Sequence, residues 1–543
     1  NPSFTYASAD AGTYTVTVTA GGCTTTAYTN VLSSTDAGQW TGSVSSDWAT
    51  ADNWCSGTVP SSTTNVVIAA GATNMPTITG SASCKNLTIN SSTTLTIALG
   101  GTLNIAGALI NNGSMLNNGT TNFNGSSGQQ TFSGVSSFYN LTLNNSSGLL
   151  LPASIIVGNN LTLSAGTLNA NNFNISVAGN WANNVSTSAF TAGSGNLTFN
   201  GSTTQSIGGS FATTFNNLTL ANSASTVSLG INASVTGNLT VSSGTFDLVT
   251  FTANRASSGG ALTVSNLATL KIGGTNVFPS NYTAITLVLA STVEYSGTNQ
   301  TVSNQVYGNL TLSSSSGSAV KTFPATALSV VGNLSSTLGA GTAGSFTAAS
   351  NISVNGNISI GASTTFNGGS FAHSCGGNWL NNGTFTGATS TVTLLGPGSS
   401  VSGSGTHNFN SMVVAASLIS FSNASMTISG NFSTISSGSF TQASGGTFDM
   451  SGSGKTISGL GINLDNLIIS GSISTAASFS LSGNLTVSGT FTASAGTITM
   501  SGASKTISGT GSKSFAVLSL SGTVSTNASF SISTGLIVAG TFS

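Results

Sequence analysis

Along most of the chain, apolar and polar residues alternate in runs of three to five positions in which two apolar side chains flank a Thr. Asn86-Leu-Thr-Ile89, Asn140-Leu-Thr-Leu143, Asn160-Leu-Thr-Leu163, Asn217-Leu-Thr-Leu220, Asn238-Leu-Thr-Val241, Asn309-Leu-Thr-Leu312 and Asn484-Leu-Thr-Val487 are the clearest. Successive side chains of a strand point to opposite faces, so each run buries its aliphatic pair and shows its Thr to solvent. Ser, Gly and Asn turn residues follow, and then often a second short strand, as at Gly166-Thr-Leu168 and Gly244-Thr-Phe246. Apolar residues at i, i+3, i+4 and i+7 are nowhere sustained, and Ser, Thr and Gly are poor helix formers. The pattern predicts an all-β chain.

The strands belong to a repeat. Met450-Ser-Gly-Ser-Gly-Lys455-Thr-Ile457-Ser-Gly459 returns as Met500-Ser-Gly-Ala-Ser-Lys505-Thr-Ile507-Ser-Gly509. Gln takes the Lys slot in related modules: Phe123 with Gln130 and Phe132, Phe199 with Gln205 and Ile207, Tyr295 with Gln300 and Val302. The strand-leading residues Leu87, Leu141, Leu218, Leu310, Met412, Leu467 and Leu518 differ in number by 54, 77, 92, 102, 55 and 51. These lie near multiples of about 25, the length of one solenoid coil. The expectation is therefore a parallel β-helix (β-solenoid) of roughly 25-residue coils, with each module a whole number of coils. Asn86, Asn140, Asn217, Asn309 and Asn484 fall at coil corners, where the amide can bond to the backbone or to Asn in the next coil. Gly-Asn-Trp181 and Gly-Asn-Trp379 mark a further recurring coil. The Gln and Lys slot reads as an outward polar corner.

Texture divides the chain into three. Residues 1–34 hold Asp10-Ala-Gly-Thr-Tyr14, the Asp-x-Gly-x-Tyr of a tyrosine corner, and read as the C-terminal strands of an incomplete Ig-like β-sandwich. Residues 35–83 hold Trp40, Trp48 and Trp54, large aromatics suited to covering the exposed first rung of a solenoid. Residues 84–543 carry the coils, which are expected to continue beyond the segment, since the chain opens at Asn1-Pro2 and closes inside a repeat.

Composition narrows the function. Only 3% of residues are charged and the net charge is −1, so no basic face exists to neutralise nucleic-acid phosphates or anionic lipid. At 38% hydrophobic content the chain is also unlike a disordered low-complexity segment. No apolar run reaches the 18 or so residues of a membrane-spanning helix, so membrane insertion is not expected. Cys55 and Cys84 bracket the aromatic cap and are a candidate disulfide in an oxidising compartment. His373 and Cys375 share a strand face but are too few for a zinc site, and no metal or other cofactor is expected.

β-Helices include polysaccharide lyases and hydrolases, whose chemistry needs paired carboxylates at a set separation. Asp47 and Asp52 lie in the cap; Asp247, Glu294, Asp449 and Asp465 are tens of residues apart, and no dyad is evident. Non-enzymatic solenoid is the main reading, a carbohydrate-active enzyme the alternative, and an ice-binding Thr array a more distant one.

The series Trp40-Thr-Gly42, Trp48, Asn53-Trp54-Cys55, Gly57, Pro60, Val66-Val-Ile68 and Cys84-Lys-Asn-Leu-Thr-Ile89, behind an Ig-like strand and ahead of Asn-Leu-Thr coils, resembles the very large surface proteins of Bacteroidota. Those combine Ig-like modules with β-helical repeats, are exported by type IX secretion, and include adhesins and gliding-motility filaments. The resemblance implies an extracellular, cell-surface structural or adhesive segment. Its implied partners are a surface or glycan ligand, further copies of itself, or a secretion or anchoring component.

Overall fold

The computed structural model describes residues 38–314, 318–338, 344–416 and 425–543, and the backbone of 12–20, 23–31 and 419–421. The described residues are all-β with about 1% helix and form a parallel β-solenoid of about 23 turns. It divides into two compact units: Asn1–Thr240 with Thr252–Ala261 and Asn281–Thr283, and Val241–Phe251 with Leu262–Ser280 and Ala284–Ser543.

In the first unit Gly12–Ala20 and Cys23–Val31 form an antiparallel hairpin, Gly12 opposite Val31 and Ala20 opposite Cys23. The tyrosine corner expected from Asp10 and Tyr14 lies outside the described side chains. From Val66 onward each coil contributes three short strands that pair in parallel with their counterparts one coil away. One face stacks Val66, Leu87, Leu109 and Phe132. Another stacks Ala82, Leu103, Thr121, Leu141, Leu161, Trp181 and Ile207. Every one of these side chains is inward and nearly inaccessible. Period-2 alternation explains that burial, and full burial of one aliphatic or Phe side chain contributes about 1.5–3 kcal/mol.

The second unit is built alike. One inward column runs Val293, Leu310, Leu334, Ile358, Trp379, Val401. A second runs His373, Val392, Met412, Phe432, Ile457, and a third Met426, Phe448, Leu467, Leu485, Ile507. Aromatic rings meet inside: Phe346 stacks on Phe366 at 4.4 Å, and Trp379 meets Phe385 edge-on at 4.8 Å.

Two sequence expectations change. The coil is shorter than the motif spacing suggests: subtraction of residue numbers along the Ala82 column gives 21, 18, 20, 20, 20 and 26, and along the Val293 column 17, 24, 24, 21 and 22. Nor is the module a whole number of coils. Leu87, Leu141 and Leu218 stand in three different columns of the first unit, Leu218 stacking on Leu197 and Ile175. Leu310, Met412 and Leu467 likewise stand in three columns of the second. Eight strands, at three to a coil, carry the chain from Met412 to Leu467, or two and two-thirds coils. Asn-Leu-Thr encodes a turn and a half-buried strand, which any of the three corners accepts.

Candidate functional site

One outward row of the second unit departs from the Thr, Ser and Asn found elsewhere. Phe246, Leu270, Val293 and Leu310 point inward, so their neighbours Asp247, Lys271, Glu294 and Thr311 point out, in register on four successive rungs. The Lys271 ammonium lies 3.2 Å from Asp247 Oδ2, with both side chains partly exposed. Asp247 Oδ1 also accepts from the Val249 N–H at 2.8 Å. Ser313 Oγ donates to Glu294 Oε1. With rungs about 4.8 Å apart, the two carboxylates are separated by roughly 10 Å of stack, with the ammonium between them. Sequence spacing hid this pairing of Asp247 with Glu294, because the residue that joins them is a cation. The available signal was that Asp247, Lys271 and Glu294 follow one another at intervals of one coil each.

A groove of about 410 Å³ opens over the row, lined also by Thr250, Ser296 and Ser313. Gly273 also lines it, and a Cβ there would lie 2.0 Å from Val249 O, so this corner excludes a side chain.

Beneath Glu294 lies a buried polar knot. Gln300 Nε2 donates to Ile272 O (3.0 Å) and Asn276 O (2.9 Å), while its Oε1 accepts from the Gly297 N–H at 2.8 Å. Lys321, wholly inaccessible, donates from Nζ to Gln300 Oε1 (2.6 Å) and Gly297 O (2.7 Å). Burial pushes the Lys321 ammonium down to about 8, against the opposing pull of the Glu294 carboxylate. The first unit repeats the device with Asn in place of Lys: Asn145 Nδ2 donates to Gln130 Oε1 at 3.0 Å and Asn222 Nδ2 to Gln205 Oε1 at 3.1 Å. The Gln slot is thus inward, not outward as the sequence suggests. The corner turns one N–H and two carbonyls toward the core, and an amide both accepts and donates. Lys455 and Lys505, which only donate, remain half-buried with their stems over Gly452 and Gly502.

Trp40, Trp48 and Trp54 gather into one cluster, Trp40 stacked on Trp48 at 6.5 Å and Trp54 edge-on to both at 4.9 and 4.7 Å. All three are buried. Gln39 pairs with Val67 and Asp47 with Thr77, which sets the cluster against the first strands of two faces.

Cys55 and Cys84 are both free thiols, one exposed and one buried, and do not form the disulfide their spacing suggests. Cys84 alternates inward with Ala82 on Ser81–Cys84, facing Asn104 O, whereas Cys55 points out from the cap. Burial pushes the Cys84 thiol up to about 12, which makes it a packing residue. His373 and Cys375 are both inward on Ala372–Cys375, and among the described residues no group of three His, Cys, Asp or Glu side chains is placed to hold a metal.

The five asparagines stand at corners and bind across coils. Asn140 Oδ1 accepts from the Asn160 N–H (3.2 Å), Asn217 Oδ1 from Asn238 N–H (2.9 Å), Asn309 Oδ1 from Asn333 N–H (2.9 Å), and Asn484 Oδ1 from Thr506 N–H (2.9 Å). Asn86 Oδ1 takes the Ala108 N–H at 2.7 Å. In the second unit the ladder runs unbroken from Asn309 through Asn333, Asn357 and Asn378 to Ser400.

Residues 39–225 match the family model of a domain of unknown function (DUF8693). The match covers about a third of the chain, from the aromatic cap into the coils, and stops short of Asp247. No curated protein and no solved structure matches the chain. Among the described residues no helix is long and apolar enough to cross a membrane.

Proposed function

We propose that the chain is a non-enzymatic structural and adhesive segment of a large bacterial surface protein, supplying reach, rigidity and surface contact outside the cell. The observation that carries this reading is the succession of parallel rungs, tied at the corners by asparagine amides and faced with neutral Thr, Ser and Asn. Such a stack resists deformation through many equivalent hydrogen bonds and needs no surface charge. The resemblance of the cap and coils to exported adhesins and gliding filaments supports the location. Antibody against the coils, applied to intact producing cells, is expected to label the surface; labelling only after lysis would contradict the proposal.

The Asp247 and Glu294 pair raises a second reading, a carbohydrate-active enzyme, since its separation of roughly 10 Å lies at the upper edge of the about 6.5–9.5 Å at which inverting glycosidases hold two carboxylates. Lys271, however, occupies the interval where the attacking water and the scissile bond would sit. Release of reducing ends from a panel of polysaccharides, abolished by Asp247→Asn, would replace the first reading with this one.

A further inference from the structure

We propose that the groove over Asp247, Lys271 and Glu294 is a binding subsite for one neutral sugar unit of hexose size, held through its hydroxyl groups. The inference extends surface contact to a named ligand class and stands on the groove alone.

The charges are not needed by the fold. An exposed ion pair contributes about 0–1 kcal/mol, and neighbouring coils stack equally well on uncharged rows such as Ser329, Ser353, Ser374 and Thr393. Yet three of the fifteen Lys, Arg, Asp and Glu residues in the chain occupy consecutive rungs of one groove.

Charge balance selects the ligand. Lys271 pairs with Asp247 in the groove and the buried Lys321 ammonium acts on Glu294 electrostatically, so neither a free anion nor a free cation is favoured. What the row offers is acceptor, donor, acceptor at rung spacing. Carboxylate oxygens accept from vicinal hydroxyls, and an ammonium donates to hydroxyl or ring oxygens. The groove volume of about 410 Å³ lies within the range of small-molecule sites, roughly 300–1,000 Å³. The row is also held before any ligand arrives: Asp247 by Lys271 and the Val249 N–H, Glu294 by Ser313. Such preorganisation lowers the cost of binding.

The test is isothermal titration of the intact chain with glucose, galactose, mannose and xylose and their neutral oligosaccharides, beside inorganic phosphate and calcium chloride. At least one neutral sugar is expected to bind. Lys271→Met and Glu294→Gln should each weaken it tenfold or more, whereas Asp449→Asn, an outward acid elsewhere in the second unit, should leave it unchanged. Thr250→Trp, which fills the groove and spares the charged row, should abolish binding while circular dichroism stays that of the parent. No neutral sugar bound at millimolar concentration, binding indifferent to these substitutions, or phosphate or calcium bound in preference would each overturn the subsite. Sugar binding without surface labelling of cells would keep the subsite and overturn the surface role; sugar release would keep the subsite and overturn the non-enzymatic reading.

Discussion

Lys321 is the residue whose environment most departs from what its type prefers: an ammonium with no solvent exposure, satisfied by Gln300 Oε1 and Gly297 O. Its folded pKa of about 8 lies below the unfolded value of 10.5. Between those values the unfolded chain binds more protons, so this residue's contribution to stability rises with pH from about 8 to 10.5. Against a Lys321→Met variant, the parent is expected to gain on the order of 2 kcal/mol between pH 7 and pH 10. Paired thermal or denaturant melts check this, and a difference flat in pH would contradict the buried ammonium. Gln205 tests the uncharged version of the same corner. Gln205→Leu strands the Gly201 N–H and the Gly179 carbonyl and takes one of two donors from the Val177 carbonyl, which keeps the Asn200 N–H, at a cost on the order of 2 kcal/mol. Because each coil touches only its neighbours, hydrogen exchange should accelerate around those coils and leave distant ones unchanged. None of this is legible in sequence, where Gln or Lys following a Gly/Ser turn reads as surface. The inward reading needs the corner's inward-turned N–H and carbonyls, which only the folded turn displays.

At the scale of the strand and its corner, the sequence carries much more. Asn before Leu-Thr-Leu marks both a turn and a half-buried strand, and the folded corner uses it so, each Oδ1 capping the N–H one coil on. Asn357→Ala is expected to deprotect one amide, Asn378 N–H, whose acceptor at 2.7 Å is lost, by about the 0.5–1.5 kcal/mol of an ordinary hydrogen bond. Residue-resolved exchange reads it, and unchanged protection at Asn378 would contradict the ladder. The face on which a motif falls was not legible. Met450 stacks beneath Ile469 and Met500 beneath Leu520, on different sheets, although their surrounding sequences are nearly the same. Local chemistry specifies a corner; the uneven length of the coils decides which corner it becomes. The charged row was hidden for the same reason, since Asp247 and Glu294 meet only once Lys271 is placed one coil from each.

For the whole molecule, alternation without helical period gives an all-β chain, and the returning modules at Met450 and Met500 make it a parallel solenoid, because an open stack of coils is one of few ways to bury so many short apolar runs that repeat. They overestimated the coil, since counting between motifs averages over corners that the motif does not distinguish. The mechanical unit of a segment proposed for reach and rigidity is therefore the single coil, not the longer module that brings Met450 back as Met500. Single-molecule extension from the two termini tests this most directly. Peeling coil by coil should release contour in steps of roughly 70 Å, the extended length of about 20 residues at about 3.3–3.6 Å each. Steps of module size, or one cooperative rupture of the whole chain at low force, would contradict it.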